Sequence, residues 1–253
     1  MKYKIHLLLL SSLLFIAFIS CKKERQQPIV SSLIVVNAVP GSTPLVVNFT
    51  GSQPSNFYAG AAKINYGILD QFSRFNMETT EQPLTLYQYP DTFSTSKPIF
   101  NLNLHLEKGS INSLFLMGTV AKPDYLFLSS VPPYHAVRDS TFGIRFVNLS
   151  YQSKPVNVYL IANGEQKEID GLAYKGITPY KNYTARAADN SYVFEFRDQE
   201  TQNVIASYVL KDLSQANEKE NLWRYRNFTL ALIGLPDTAV PEQKQKIFLI
   251  NNY

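Results

Sequence analysis

Apolar and polar residues alternate with a period of two over much of this chain. Phe100, Leu102, Leu104 and Leu106 alternate with Asn101, Asn103 and His105. Tyr192, Phe194 and Phe196 alternate with Val193, Glu195 and Arg197. Successive side chains of an extended strand point to opposite faces, so this pattern predicts strands with one face in a core and one in water. Asn163-Gly164 between two such stretches predicts a hairpin, because both residues tolerate the positive φ of a type I′ turn. Turn residues recur between about seven short strands in each half, which predicts antiparallel β-sandwiches of immunoglobulin-like or transthyretin-like kind. One stretch, Leu213 to Arg226, reads as a helix, with Ser214 as its N-cap.

The pattern is written twice. Leu33-Ile34-Val35-Val36-Asn37 recurs as Ile144-Arg145-Phe146-Val147-Asn148, and Pro44–Phe49 as Pro155–Leu160, both at an offset of 111. Phe72 and Phe75 match Tyr180 and Tyr183 at 108, and Leu114–Gly118 matches Leu230–Gly234 at 116. Order is kept while the offset drifts, as loop insertions in a tandem duplication would make it. The expected division is a first sandwich at 31–133, a linker at 134–141 and a second sandwich at 142–253.

The first twenty residues break the pattern. Lys2 and Lys4 precede an apolar run from Leu7 to Ile19, too short to span a bilayer and followed by Ser20 and Cys21. The segment resembles a bacterial lipoprotein signal cut before the cysteine, with Phe18 where such signals usually carry Leu. On this reading residues 1–20 are removed, Cys21 carries the lipid and residues 21–30 form a tether. Several acyl chains anchor stably where one would not, at roughly 0.8 kcal/mol per buried CH₂. Cutting there removes two of the 24 basic residues, so the net charge falls from +4 to +2. Neither value points to nucleic acid. Lys22, rather than Asp, after the cysteine points to the outer membrane of a bacterial envelope.

The blocks also resemble domain of unknown function 4397, a sandwich family common in lipoproteins of Bacteroidota-type envelopes. The carriers are a first strand ending in Val-Asn (Val36-Asn37, Val147-Asn148) and Val156–Tyr159 leading to Asn163-Gly164. Tyr174-Lys175-Gly176 and a late strand ending in Gly118 or Gly234 complete them. The resemblance implies a sandwich and an envelope location and brings no catalytic residues.

Chemistry is sparse. No phosphate loop or nucleophile elbow occurs, and a single Cys and three His leave no zinc set. His105 lies on the polar side of a strand and His135 in a proline-rich linker, so both are read as solvated. Glu165, Glu168 and Asp170 flank the predicted hairpin, where charge serves solubility rather than a carboxylate pair. Aromatics offer binding groups: Tyr58, Tyr66, Phe72 and Phe75 in the first copy, Tyr174, Tyr180 and Tyr183 in the second. Trp223-Arg224-Tyr225-Arg226 interleaves aromatic and guanidinium groups and is the candidate binding surface. Ser140 and Thr238 follow aspartates in predicted loops and are candidate O-glycosylation sites. The expected function is a non-catalytic, membrane-tethered binding or assembly module contacting envelope proteins or glycans, with no cofactor. The alternatives are a glycan-binding lipoprotein of a polysaccharide uptake system and, behind it, an envelope hydrolase.

Overall fold

The computed structural model describes residues 30–51, 60–91, 93, 95–186, 191–215 and 221–252. Cys21, the signal segment and Tyr58 lie outside them. The chain is all-β, with no α-helix among the described residues. The first half forms β1 (Ser31–Asn37), β2 (Leu45–Asn48), β3 (Lys63–Ile64), β4 (Arg74–Met77), β5 (Glu81–Gln88), β6 (Phe100–His105), β7 (Ile111–Gly118) and β8 (Pro123–Ser129). The second forms β9 (Thr141–Asn148), β10 (Val156–Ile161), β11 (Glu165–Leu172), β12 (Lys181–Thr184), β13 (Tyr192–Asp198), β14 (Val204–Leu210), β15 (Asn227–Ile233) and β16 (Lys246–Asn251).

Each half is a pair of four-stranded sheets with matching order: β4-β1-β7-β8 over β3-β2-β5-β6, and β12-β9-β15-β16 over β11-β10-β13-β14. Two features differ from the sequence expectation. Among the described residues each sandwich has eight strands rather than seven, and each contains one parallel pair, β1 with β7 and β9 with β15. The penultimate strands, β7 and β15, re-enter the first sheet in the direction of its opening strand, which a purely antiparallel reading does not foresee. The stretch from Leu213 is not helical where described. Leu213 and Ser214 form a turn, and Asn221 caps the following loop by accepting from the Trp223 and Arg224 amides.

The repeat is visible at single side chains. Asn37 is fully buried; its amide donates to the Ile64 carbonyl and Ser42 hydroxyl and accepts from the Val39 amide. Asn148 makes the same set with Leu172, Ser153 and Ser150. A buried polar group survives only when bonded, so each Asn ties the end of a first strand to its own sandwich's facing sheet. Gly118 and Gly234 close equivalent turns at φ +82° and +99°, where an added Cβ would strike the carbonyl of Lys122 or Lys244.

The described residues form three apolar cores. Leu33, Val35, Leu84, Leu86, Leu114 and Leu116 belong to the first sandwich's core, and Phe142, Phe146, Phe194, Phe196, Leu230 and Leu232 to the second's. The third lies between the sandwiches: Ile34, Val36, Phe115 and Met117 pack with Val147, Ala231, Ile233, Phe248 and Ile250. Strands β1, β7 and β15 are therefore covered on both faces, which is why they read as unbroken apolar runs while β6 and β13 alternate.

Polar contacts join the halves around that core. Tyr66 and Tyr174 occupy equivalent places in the two copies, and each reaches across. Lys246 Nζ sits 5.0 Å over the Tyr66 ring, and the Tyr174 hydroxyl donates to Asp124 at 3.2 Å. Asp124 and Lys246 are themselves equivalent, pairing with Met117 and Ile233. Lys175 adds an ion pair to Asp124 at 2.8 Å. Arg145, 2% exposed, donates to Thr229 in its own sandwich and to Ser113 and Ser130 in the other, with its guanidinium 4.8 Å from the Tyr180 ring centre.

Candidate functional site

Because β1 runs parallel to β7 and β9 parallel to β15, with both pairs packed at this interface, the loops of both sandwiches gather at two ends. Arg145, midway along β9, meets Ser113, early in β7, while Lys175, beyond the end of β9, meets Asp124, beside the end of β7. One end therefore holds the start of β1, the linker after β8 and the loop before β15. The other holds the turns after β1 and β9 and the loops around Phe72, Tyr89 and Thr238.

At the first end the structure corrects two expectations. Trp223 is not a surface aromatic: it is 7% exposed, packs on Phe142 and Phe228, and donates Nε1–H to the Lys211 carbonyl at 2.6 Å. Its neighbours secure the loop. Arg224 Nε donates to the Ala185 carbonyl, the Tyr225 hydroxyl to the Val137 carbonyl and Arg226 to the Leu222 carbonyl. The open end of the sandwich needed an apolar plug, and a large indole with a satisfied N–H supplies one.

His135 is not solvated either. It is 5% exposed, with Nε2 2.9 Å from Asn227 Oδ1 and Nδ1 3.0 Å from the Thr141 hydroxyl. Asn227 also donates to the Pro133 carbonyl at 2.9 Å. Gly143 makes this latch possible, since a Cβ there would lie 2.2 Å from Asn227 Oδ1. Ser140 is half-buried at φ +47°, and its carbonyl accepts from the Ala185 amide.

The other end displays apolar and aromatic side chains on the first sandwich. Ile68 is 52% exposed, Phe72 51%, Tyr89 40% and Phe93 67%. Lys63 Nζ stands 4.2 Å over the Tyr89 ring, presenting a cation beside an aromatic. The remaining aromatics singled out by sequence serve packing. Phe75 meets Phe49 edge-on, Tyr183 packs on Phe142 and Phe194, and Tyr174 meets Tyr151 edge-on. Burial pushes the Tyr66 hydroxyl up to about 12, out of reach of acid–base chemistry at neutral pH. Thr238 is half-buried in the turn after Asp237, and its hydroxyl accepts from the Val240 amide.

The hairpin at Asn163-Gly164 forms, but through a three-residue connection, Ala162–Gly164, in which Gly164 takes positive φ and Asn163 does not. A cleft of about 550 Å³ lies beside it, lined by Leu160, Gln166, Ser191 and Tyr192 among others. The three acids of this hairpin do not converge. Glu165 pairs with Arg197 at 2.7 Å, Asp170 with Lys167 at 3.0 Å, and Glu168 turns inward. The Glu168 side chain is 1% exposed and accepts from Lys181 and the Tyr183 hydroxyl, bridging the two sheets at their open edge. That corrects its reading as a solubilising charge. His105 faces water as its strand position predicts; the Glu81 hydrogen bond and charge raise its pKa. No group of three potential metal ligands occurs among the described residues.

No family model matches the chain, and no curated protein matches it. Solved structures do. One, of a streptococcal virulence factor described as binding α-glucan, is 10% identical over 79% of this chain and 93% of its own, with a TM-score of 0.25. The family 41 carbohydrate-binding modules of streptococcal virulence factors are 12% identical over 86% and 96%, with a TM-score of 0.26. A candidate adhesin from Bacteroides ovatus is 12% identical over 84% and 90%, with a TM-score of 0.21.

Proposed function

We propose that the chain is an envelope lipoprotein, lipidated on Cys21 and held at the outer membrane. Its duplicated sandwich is a rigid, non-catalytic body that presents loop ends for binding or assembly. The observation that supports this reading most directly is the third core. It welds the two sandwiches into one unit with described loops gathered at two opposite ends, as a presenting scaffold requires. The acids that a hydrolase would bring together are each committed to a different cation. Membership of the domain of unknown function 4397 family belongs to the same proposal and rests on the Val-Asn strand ends, whose asparagines make equivalent bonds in both copies.

A glycan ligand is the second reading. The exposed Phe72, Tyr89 and Phe93 on one end favour it, since aromatic faces pack against sugar rings.

Two measurements test the proposal. A fatty-acid tracer should label the wild-type protein and not Cys21→Ala; continued labelling of the variant would sink the anchor. Affinity capture from envelopes should recover a protein or glycan that is lost with Phe72→Ser and Phe93→Ser together. Equal recovery by the variant would remove that end as the binding surface.

A further inference from the structure

The linker between the sandwiches carries an unusual contradiction. Its backbone is pinned by the His135–Asn227–Pro133 latch and by the Tyr225 hydroxyl on the Val137 carbonyl. Its apolar side chains nevertheless stand in water: Val131 is 80% exposed, Tyr134 87% and Val137 65%, and Leu222 of the adjoining loop is 58% exposed. A slack linker would expose apolar groups by accident. Here a buried histidine and a glycine-permitted contact hold them outward. Scattered exposed apolar residues are ordinary, but a set held together at one end of a molecule marks a contact surface.

The position of that end says what covers it. Ser32 bonds to Ser110 and pairs with Ile111, and the Ile111 carbonyl accepts from the Ser130 amide. Val30 and Val131 therefore lie two strand spacings apart, about 10 Å. The chain enters the fold beside the exposed apolar set. Cys21 stands nine residues before Val30, a reach of at most about 30 Å. Exposed Arg138 and Arg226 flank the apolar groups. Tyr134 has the apolar ring and polar tip suited to headgroup depth.

We infer that this end rests on the bilayer, with Val131, Tyr134, Val137 and Leu222 inserted at the lipid interface. The opposite end, with Phe72, Tyr89 and Phe93, is thereby turned outward. The inference builds on the proposed lipidation of Cys21. The lipid holds the protein at the membrane, and the apolar set fixes how it stands there.

The test uses the full lipidated protein in vesicles of phosphatidylethanolamine and phosphatidylglycerol. Acylation blocks the chain's one native thiol, so Tyr134→Cys, Val137→Cys and, at the opposite end, Lys122→Cys each accept a single environment-sensitive fluorophore. Labels at 134 and 137 should shift to the blue and be quenched by nitroxide lipids several-fold more than the label at 122. Equal quenching at all three positions, or none at 134 and 137 in protein that co-sediments with vesicles, would overturn the inference while leaving the anchor standing. Cross-linking of position 134 to an envelope protein instead of lipid would overturn it as well. Loss of co-sedimentation together with a mass lacking acyl chains would instead refute the anchor.

Discussion

At the scale of single residues, the most informative positions are polar ones placed where water cannot reach. Asn37 and Asn148 each satisfy a strand end that would otherwise leave buried carbonyls and amides unpaired. Truncation strands those partners, and a buried unsatisfied group costs about 1–3 kcal/mol. Asn37→Ala and Asn148→Ala should each lower the unfolding free energy by about that much in urea titrations. The double variant should lose close to the sum, because the two sites sit in separate sandwiches with no shared partner. A double variant no less stable than either single one would contradict equivalent roles. Arg145 is a different case: burial lowers its pKa, and hydroxyls rather than a carboxylate surround it. It specifies how the halves meet more than it strengthens them.

Between elements, the contacts of β8 with the loop after β11 couple docking to pH. Burial pushes the Asp124 carboxyl up, but hydrogen bonds from Lys175, the Tyr125 amide and Tyr174 outweigh it and hold the pKa below the ordinary value. A lowered folded-state pKa means stability that is present above the unfolded value and lost as pH falls through the folded one. Acidification below about pH 4 should therefore loosen the two halves, and Asp124→Asn should flatten that part of the stability profile. Thermal melts from pH 7 downward check this; an unchanged acid limb in the variant would assign the loss to other carboxylates.

For the whole molecule, the third core decides cooperativity. Burying an aliphatic or aromatic side chain contributes about 1.5–3 kcal/mol, and Ile34, Val36, Phe115, Met117, Phe248 and Ile250 are all covered only because the sandwiches dock. Urea unfolding followed by circular dichroism and by Trp223 fluorescence should give one coincident transition, although Trp223 reports from the second sandwich alone. Residues 22–133 made alone should aggregate, and polar replacements at Ile34, Val36, Phe115 and Met117 should restore solubility. Two separated transitions in the intact chain would show that the halves fold independently.

What the sequence determined by itself was whatever depends on neighbours in the chain. Period-two alternation in β6 and β13 marked half-buried strands, because each side chain's face follows from its parity. The ordered offsets exposed the repeated strands, and Asn163-Gly164 located a hairpin, since both signals are local. The tertiary structure alone decided what depends on distant partners. His135 reads as a linker residue until Asn227, 92 positions away, is seen to hold it. Trp223-Arg224-Tyr225-Arg226 looks like a binding surface until Phe142 and Phe228 bury the indole. Leu33–Val36 reads simply as a strand, since an unbroken apolar run does not say what lies on its second face. Only the docking of one inner sheet on the other supplies that answer, and it also gathers the loops into two ends, one of them beside the chain's entry.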